Sequence, residues 1–105
     1  LKEIIAFDNN GKEPFTDWFG KLKDKKTKAK ILTRLERVAN NNYGYHRRLK
    51  ADFLELKEKM SGGIRIYLGE DGDNLIVLLL GGNKSSQEQD IAKALQYWQE
   101  YKSNN

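Results

Sequence analysis

Leu75-Ile76-Val77-Leu78-Leu79-Leu80 is six apolar residues without a break, closed by Gly81-Gly82 and followed by Asn83-Lys84-Ser85-Ser86. A half-exposed strand alternates in polarity, so the unbroken run predicts a strand covered on both faces. Working back from it, Gly69-Glu70-Asp71-Gly72-Asp73-Asn74 has the chemistry of a hairpin loop. Before that loop, Ile64, Ile66 and Leu68 alternate with Arg65 and Tyr67, and Leu54 and Leu56 alternate with Phe53, Glu55 and Lys57. Both segments read as strands with one apolar face, joined by a turn at Met60-Ser61-Gly62-Gly63. A further short strand is expected near Arg48 to Ala51.

Further out the period changes from 2 to 3.6. Phe15, Trp18, Phe19 and Leu22 fall at i, i+3, i+4 and i+7, with Pro14 at the opening of that helix. Ile31, Leu32, Leu35, Val38 and Ala39 form a second stripe, capped by Asp24 or Thr27 and ended at Asn40-Asn41-Asn42. Lys25, Lys26, Lys28, Lys30, Arg34 and Arg37 are expected to cover the solvent side of this helix. Ile91, Ala94, Leu95, Trp98 and Tyr101 form a third stripe, with Ser85 and Glu88, or Ser86 and Gln89, as its capping box. The tail Lys102 to Asn105 is expected to fray. Lys2 to Phe7 reads as a first strand, closed by the turn residues Asp8-Asn9-Asn10-Gly11. The fold class is α+β, one domain over residues 1–105, with a helical hairpin packed on one face of a mainly antiparallel sheet and a C-terminal helix.

The chain has 105 residues and a net charge of +4. Residues 21–65 hold 14 Lys or Arg against 5 Asp or Glu, whereas the remainder holds 5 against 10. Concentrated positive charge suits a polyanion, because phosphate contacts release condensed counterions. A solvated lysine-rich helix face accounts for the same pattern. The absence of cysteine excludes disulfides, thiolate zinc sites and cysteine nucleophiles. His46 is the one imidazole, so no His-based metal site is expected. No apolar run approaches the ~20 residues that span a bilayer, and Leu1-Lys2-Glu3 is unlike a secretory signal. A cytoplasmic protein without membrane contact is the expectation.

If the hairpin covers the face of Leu54, Leu56, Ile64, Ile66 and Leu68, then Lys57, Arg65 and Tyr67 emerge on an open face, with Lys59 beside them. Lys84, after the glycine pair and before a helix N-terminus whose N–H groups suit an anion, would join them. A phosphate seat and ordinary outward polar alternation both fit this periodicity.

Six stretches occur in order along the chain. They are Phe15-Thr16-Asp17-Trp18-Phe19, Lys28 to Leu35, Phe53-Leu54-Glu55-Leu56-Lys57, Gly63-Ile64-Arg65-Ile66-Tyr67, Leu78 to Gln87, and Asp90-Ile91-Ala92-Lys93-Ala94. Together they resemble the RelE/ParE superfamily of type II toxins, in the HigB-like branch of addiction-module killer proteins. The resemblance implies a RelE-like fold and a ribosome-dependent endoribonuclease, an mRNA interferase, which works by metal-independent attack of the RNA 2′-OH. It implies no cofactor and no metal. The implied partners are mRNA on the ribosome and a cognate antitoxin, a small helix-turn-helix DNA-binding protein.

Carried onto this sequence, the resemblance makes Arg65 the transition-state cation, Lys57 a phosphate holder and Lys84 the basic residue after the last strand, with Tyr67 a weaker catalytic candidate. Lys57 or Lys59 is the candidate base. Lys59, Lys28, Arg34, Arg47, Arg48 and Ser85 are the expected RNA contacts. Ile64 stands where the family has tyrosine, Lys57 where it has arginine, and residues 83–87 hold neither His nor Tyr. Two other functions stay open: inhibition of DNA gyrase by protein contact, as in the ParE branch, and an interaction module for antitoxin or operator DNA.

Overall fold

A computed structural model describes residues 1–60 and 62–104. The order is β1 (Glu3–Ala6), α1 (Pro14–Lys21), α2 (Lys25–Ala39), β2 (His46–Lys50), β3 (Phe53–Glu58), β4 (Ile64–Asp71), β5 (Leu75–Gly82), a 3₁₀ turn (Lys84–Ser86) and α3 (Gln87–Ser103). The strands form one mixed sheet in the order β1-β5-β4-β3-β2, with β1 parallel to β5 and the other pairs antiparallel. The fold is α+β, with a C-terminal helix as expected. The extra strand is present as β2, starting two residues earlier than the sequence suggests.

Turn residues reach less far than their composition implies. Gly69, Glu70 and Asp71 belong to β4, so the hairpin turn shrinks to residues 72–74, with Gly72 at φ +69°. Gly81 and Gly82 are the buried end of β5, where they make room for side chains. A Cβ on Gly81 would lie 2.2 Å from the Trp18 ring, and one on Gly69 would lie 2.4 Å from the Trp98 ring. Each tryptophan therefore lies directly on bare backbone, one on either face of the sheet. Of the turn after β3, Ser61 lies outside the described residues, while Gly62 and Gly63 take φ of +78° and +83°.

Asp24 caps α2, accepting from the Lys26 N–H and the Thr27 hydroxyl. At the other end of the chain the cap differs from the expected serine boxes. The Asn83 side chain accepts from the N–H groups of Ser85 and Ser86, and Ser86 Oγ donates to Asp90 Oδ2 at 2.5 Å. Of the tail expected to fray, Lys102 and Ser103 are helical, with Lys102 Nζ 3.2 Å from Asp52, and Asn105 lies outside the described residues.

Both sheet faces are covered. Phe15, Ile31, Leu35 and Val38 of α1 and α2 pack on Leu54, Leu56, Ile64, Ile66, Leu68, Ile76 and Leu78. Ala94 and Trp98 of α3 pack on Phe53, Tyr67, Val77 and Leu79 from the other side. The expectation of one open face is therefore corrected. The third apolar stripe has to bury itself, and the hairpin has already taken the first face.

Candidate functional site

Strand register places the polar side chains. Lys57 lies opposite Arg65 and Glu55 opposite Tyr67 across β3 and β4. Arg47 lies opposite Glu55 across β2 and β3, and Arg65 faces Gly82 on β5. Because alternate residues share a face, Arg47, Glu55, Lys57, Arg65 and Tyr67 gather on the α3 side. There α3 covers Tyr67 and Glu55 and leaves the rest of the group beyond its edge.

Lys57, Lys59, Arg65 and Lys84 line one cavity of about 290 Å³, together with Tyr45, Glu58, Gly62 and Gly63. Gly63 is needed at its position. A Cβ there would sit 2.8 Å from Arg65 Nη1 and 3.6 Å from Lys84 Cβ, and Arg65 Nη1 donates to the Gly63 carbonyl at 2.8 Å. The guanidinium is thus folded against the turn with one edge committed, beside the base of the Lys84 side chain.

Beneath the cavity lies a residue to which sequence reasoning gave no role. Glu55 is 0% exposed. Its Oε1 is 3.2 Å from Arg47 Nη2 and 4.0 Å from Lys57 Nζ, and its Oε2 is 3.8 Å from Arg65 Nε. Oε2 also accepts from Gln87 Nε2 at 2.8 Å and from the Tyr67 hydroxyl at 3.2 Å. A buried carboxylate is tolerated only when paired and hydrogen-bonded, and Glu55 has both kinds of partner. The signal for it was Phe53-Leu54-Glu55-Leu56, a lone acid inside an apolar run.

Several expected roles change. Tyr67 is 0% exposed under α3, so its phenol does not meet an outside phosphodiester. Burial, then the Glu55 charge, push its pKa up, keeping the hydroxyl a donor to that carboxylate. Arg34 is 5% exposed and does not coat the helix surface. Its guanidinium donates to the carbonyls of Tyr43, Tyr45 and Lys57 and pairs with Glu58 at 3.2 Å. Arg48 is tied to Glu70 at 2.6 Å and to the Ala51 carbonyl. Lys28 lies over the Phe19 ring. Neither lines the cavity. Ser85 Oγ donates to Asn83 Oδ1 at 2.6 Å, and the N–H groups at this helix start are taken by the same oxygen, so the expected anion seat there is already occupied.

Among the described residues no group of three or more His, Cys, Asp or Glu is placed to hold a metal ion, and no helix is long and apolar enough to cross a membrane. The cavity presents three lysines and a guanidinium, with Glu55 beneath them and Glu58 at the lining drawn off by Arg34, an arrangement that suits a small anionic group such as a phosphodiester.

Fold and cavity together define a small α+β protein with helices on both faces of a mixed five-stranded sheet and a cationic cleft at one end of it. No protein-family model matches the chain. Over 94 residues it is 37% identical to an uncharacterized protein of Haemophilus influenzae, with 90% of this chain and 87% of that protein covered. The chain belongs to the same family as that protein.

Proposed function

We propose that the chain is the toxin of a type II toxin–antitoxin pair, a metal-independent endoribonuclease that cuts mRNA on the ribosome. The observation carrying this reading is the meeting of Lys57, Arg65 and Lys84, from β3, β4 and the turn before α3, at one cavity. The ordered resemblance to RelE/ParE toxins supports the same reading.

The chemistry is an internal transesterification. The RNA 2′-oxygen forms a bond to phosphorus while the P–O5′ bond breaks, giving a cyclic phosphate and a free 5′-OH. Negative charge grows on the non-bridging oxygens, where Arg65 and Lys57 stabilise it more than in the ground state. Lys59 takes the 2′ proton while Lys57 stays a cation beside Glu55, and Lys84 supplies a proton to the leaving 5′-oxygen. Glu55 holds Arg47, Lys57 and Arg65 in mutual register and offsets their repulsion. An antitoxin would silence the site by covering this cationic cleft with acidic chain.

The test is purified protein in a translating ribosome system, with the 5′ ends of the mRNA mapped. Cuts within codons at stalled ribosomes are expected. Arg65→Ala should lower the cutting rate about 100- to 1,000-fold, the usual cost of one oxyanion-stabilising donor, measured at a temperature where circular dichroism shows the variant folded, since Glu55 loses one of its partners. Intact mRNA alongside inhibited DNA supercoiling would overturn the nuclease reading in favour of a gyrase inhibitor.

A further inference from the structure

Tyr45 is 59% exposed, yet its backbone is fixed from two directions. Its carbonyl accepts from Arg34 Nη2 at 2.6 Å and from the Lys57 N–H at 3.0 Å. The same guanidinium holds the Tyr43 and Lys57 carbonyls, so a buried arginine fastens the loop before β2 to the strand that carries Lys57. Gly44, at φ +66°, keeps that position open, since a Cβ there would come within 3.1 Å of Arg34 Nε. The outcome is an exposed aromatic ring whose place is set, with Lys57 Nζ 5.4 Å from its centroid.

The ring stands between two cavities. On one side is the cleft of Lys57, Arg65 and Lys84. On the other is a cavity of about 360 Å³ that also borders Lys57 and Lys59 and adds Lys30, Arg37 and Asn42. Lys30, Arg34 and Arg37 occur at i, i+4 and i+7 on α2, so they share one helix face. Arg34 is spent inward on the loop, and Lys30 and Arg37 remain exposed. Glu58, the one acid bordering this cavity among the described residues, is paired with Arg34. A fixed aromatic face flanked by cations suits an unpaired nucleobase whose neighbouring phosphates run past it.

We infer that Tyr45 is a stacking platform for a single-stranded RNA base beside the cleaved bond, with Lys30 and Arg37 holding the phosphate on the far side. This rests on the ribonuclease reading of the adjoining cleft and extends it to a second subsite. Such a platform is tolerant of base identity, because every base has a π face.

The probe is a single-stranded hexanucleotide, 2′-O-methylated throughout so that it cannot be cut, with one 5-iodouridine, titrated at low ionic strength. Tyr45→Ala is expected to weaken binding about tenfold to a hundredfold, whereas Tyr45→Trp retains it. Lys30→Ala and Arg37→Ala should each reduce the slope of log affinity against log salt by about 0.7. Lys93→Ala, on exposed α3 surface, should change nothing. Irradiation should crosslink the iodinated base to Tyr45, and an abasic probe should bind Tyr45→Ala and the unchanged protein alike.

If Tyr45→Ala binds as the unchanged protein does, while Arg65→Ala and Lys84→Ala weaken binding, the platform is wrong and the cleft stands. If the unchanged protein does not bind the probe at all, the platform is wrong, and the ribosome cleavage assay decides the ribonuclease reading by itself. Circular dichroism of Tyr45→Ala separates lost stacking from lost fold.

Discussion

Glu55 and Leu56 are neighbours in β3 and are equally hidden, at 0% and 1% exposure, yet they look into differently built halves of the molecule. Leu56 faces a layer of aliphatic side chains and Phe15 beneath α1 and α2. Glu55 faces a layer that is apolar under the middle of α3 and turns ionic toward Lys57 and Arg65. The first layer holds the sheet together by area removed from water. The second gives up part of that area to keep three cations, Arg47, Lys57 and Arg65, close to one another around a shared counter-charge. Stability and chemistry are thus divided between opposite sides of one strand.

Substitutions in this pair should separate the two layers most strongly. Leu56→Ala is expected to cost about 2–5 kcal/mol in denaturant unfolding, through lost transfer energy and a cavity, with little response to added anions. Glu55→Ala is expected to cost about 3 kcal/mol, at the low end for a broken buried pair, because Arg47 reaches solvent freely. Sulfate or phosphate should restore part of that loss by replacing the missing negative charge. Equal anion responses in the two variants would break the contrast.

The next effect compares the glycine under each tryptophan. Gly69→Ala and Gly81→Ala both overpack, at about 1–3 kcal/mol. The cost should be greater at Gly69, since Trp98 is 1% exposed and has nowhere to move, whereas Trp18 is half-buried at the rim. Thermal melts of the two variants check the order.

The smallest effects lie in the pH dependence. Glu70 accepts from Arg48 and from the Tyr43 hydroxyl at 2.6 Å each. Burial opposes its ionisation, but these bonds prevail and hold its carboxyl below the usual value. Its contribution is therefore full above the ordinary carboxylate pKa and is lost as pH falls through the folded value. Tyr101, bonded to Asp71 at 2.7 Å, is pushed up to about 12, by burial first and then by that carboxylate. Its contribution is full below pH 10, the ordinary value, and is lost as pH rises toward the folded one. Glu70→Gln should flatten the acid limb of stability against pH, and Tyr101→Phe the alkaline limb.

Elements whose period is unambiguous were legible in the sequence. The β5 run, the alternation of β3 and β4 and the stripes of α1 and α2 each follow from which positions are apolar, except that Leu32, expected in the α2 stripe, is 52% exposed. Pairing β3 with β4 brings Lys57 beside Arg65, and the end of β5 opposite Arg65 brings Lys84 to the same cavity. What escaped depends on contacts between distant segments. Arg34 reads as one more cation on a lysine-rich helix, because its partners are carbonyl groups, and a carbonyl carries no sequence signature. Tyr67 was placed on an open face although the α3 stripe, with Trp98 and Tyr101, needed a surface to cover. Glu55 alternates with Lys57 as any polar residue would, and only the approach of Gln87 and Arg47 reveals it as a buried hub.

The parallel pairing of β1 with β5 carries a consequence for how the chain assembles. Glu3 meets Leu75 and Ala6 meets Leu78, so β1 finds its place only after β5 has been made. Closing so long a loop is slow relative to hairpin formation. The β2-β3-β4 meander can zip up locally, while during synthesis β1 waits until β5 has left the ribosome. The cleft needs Lys84, which follows β5, so it comes into being only after all five strands have been made.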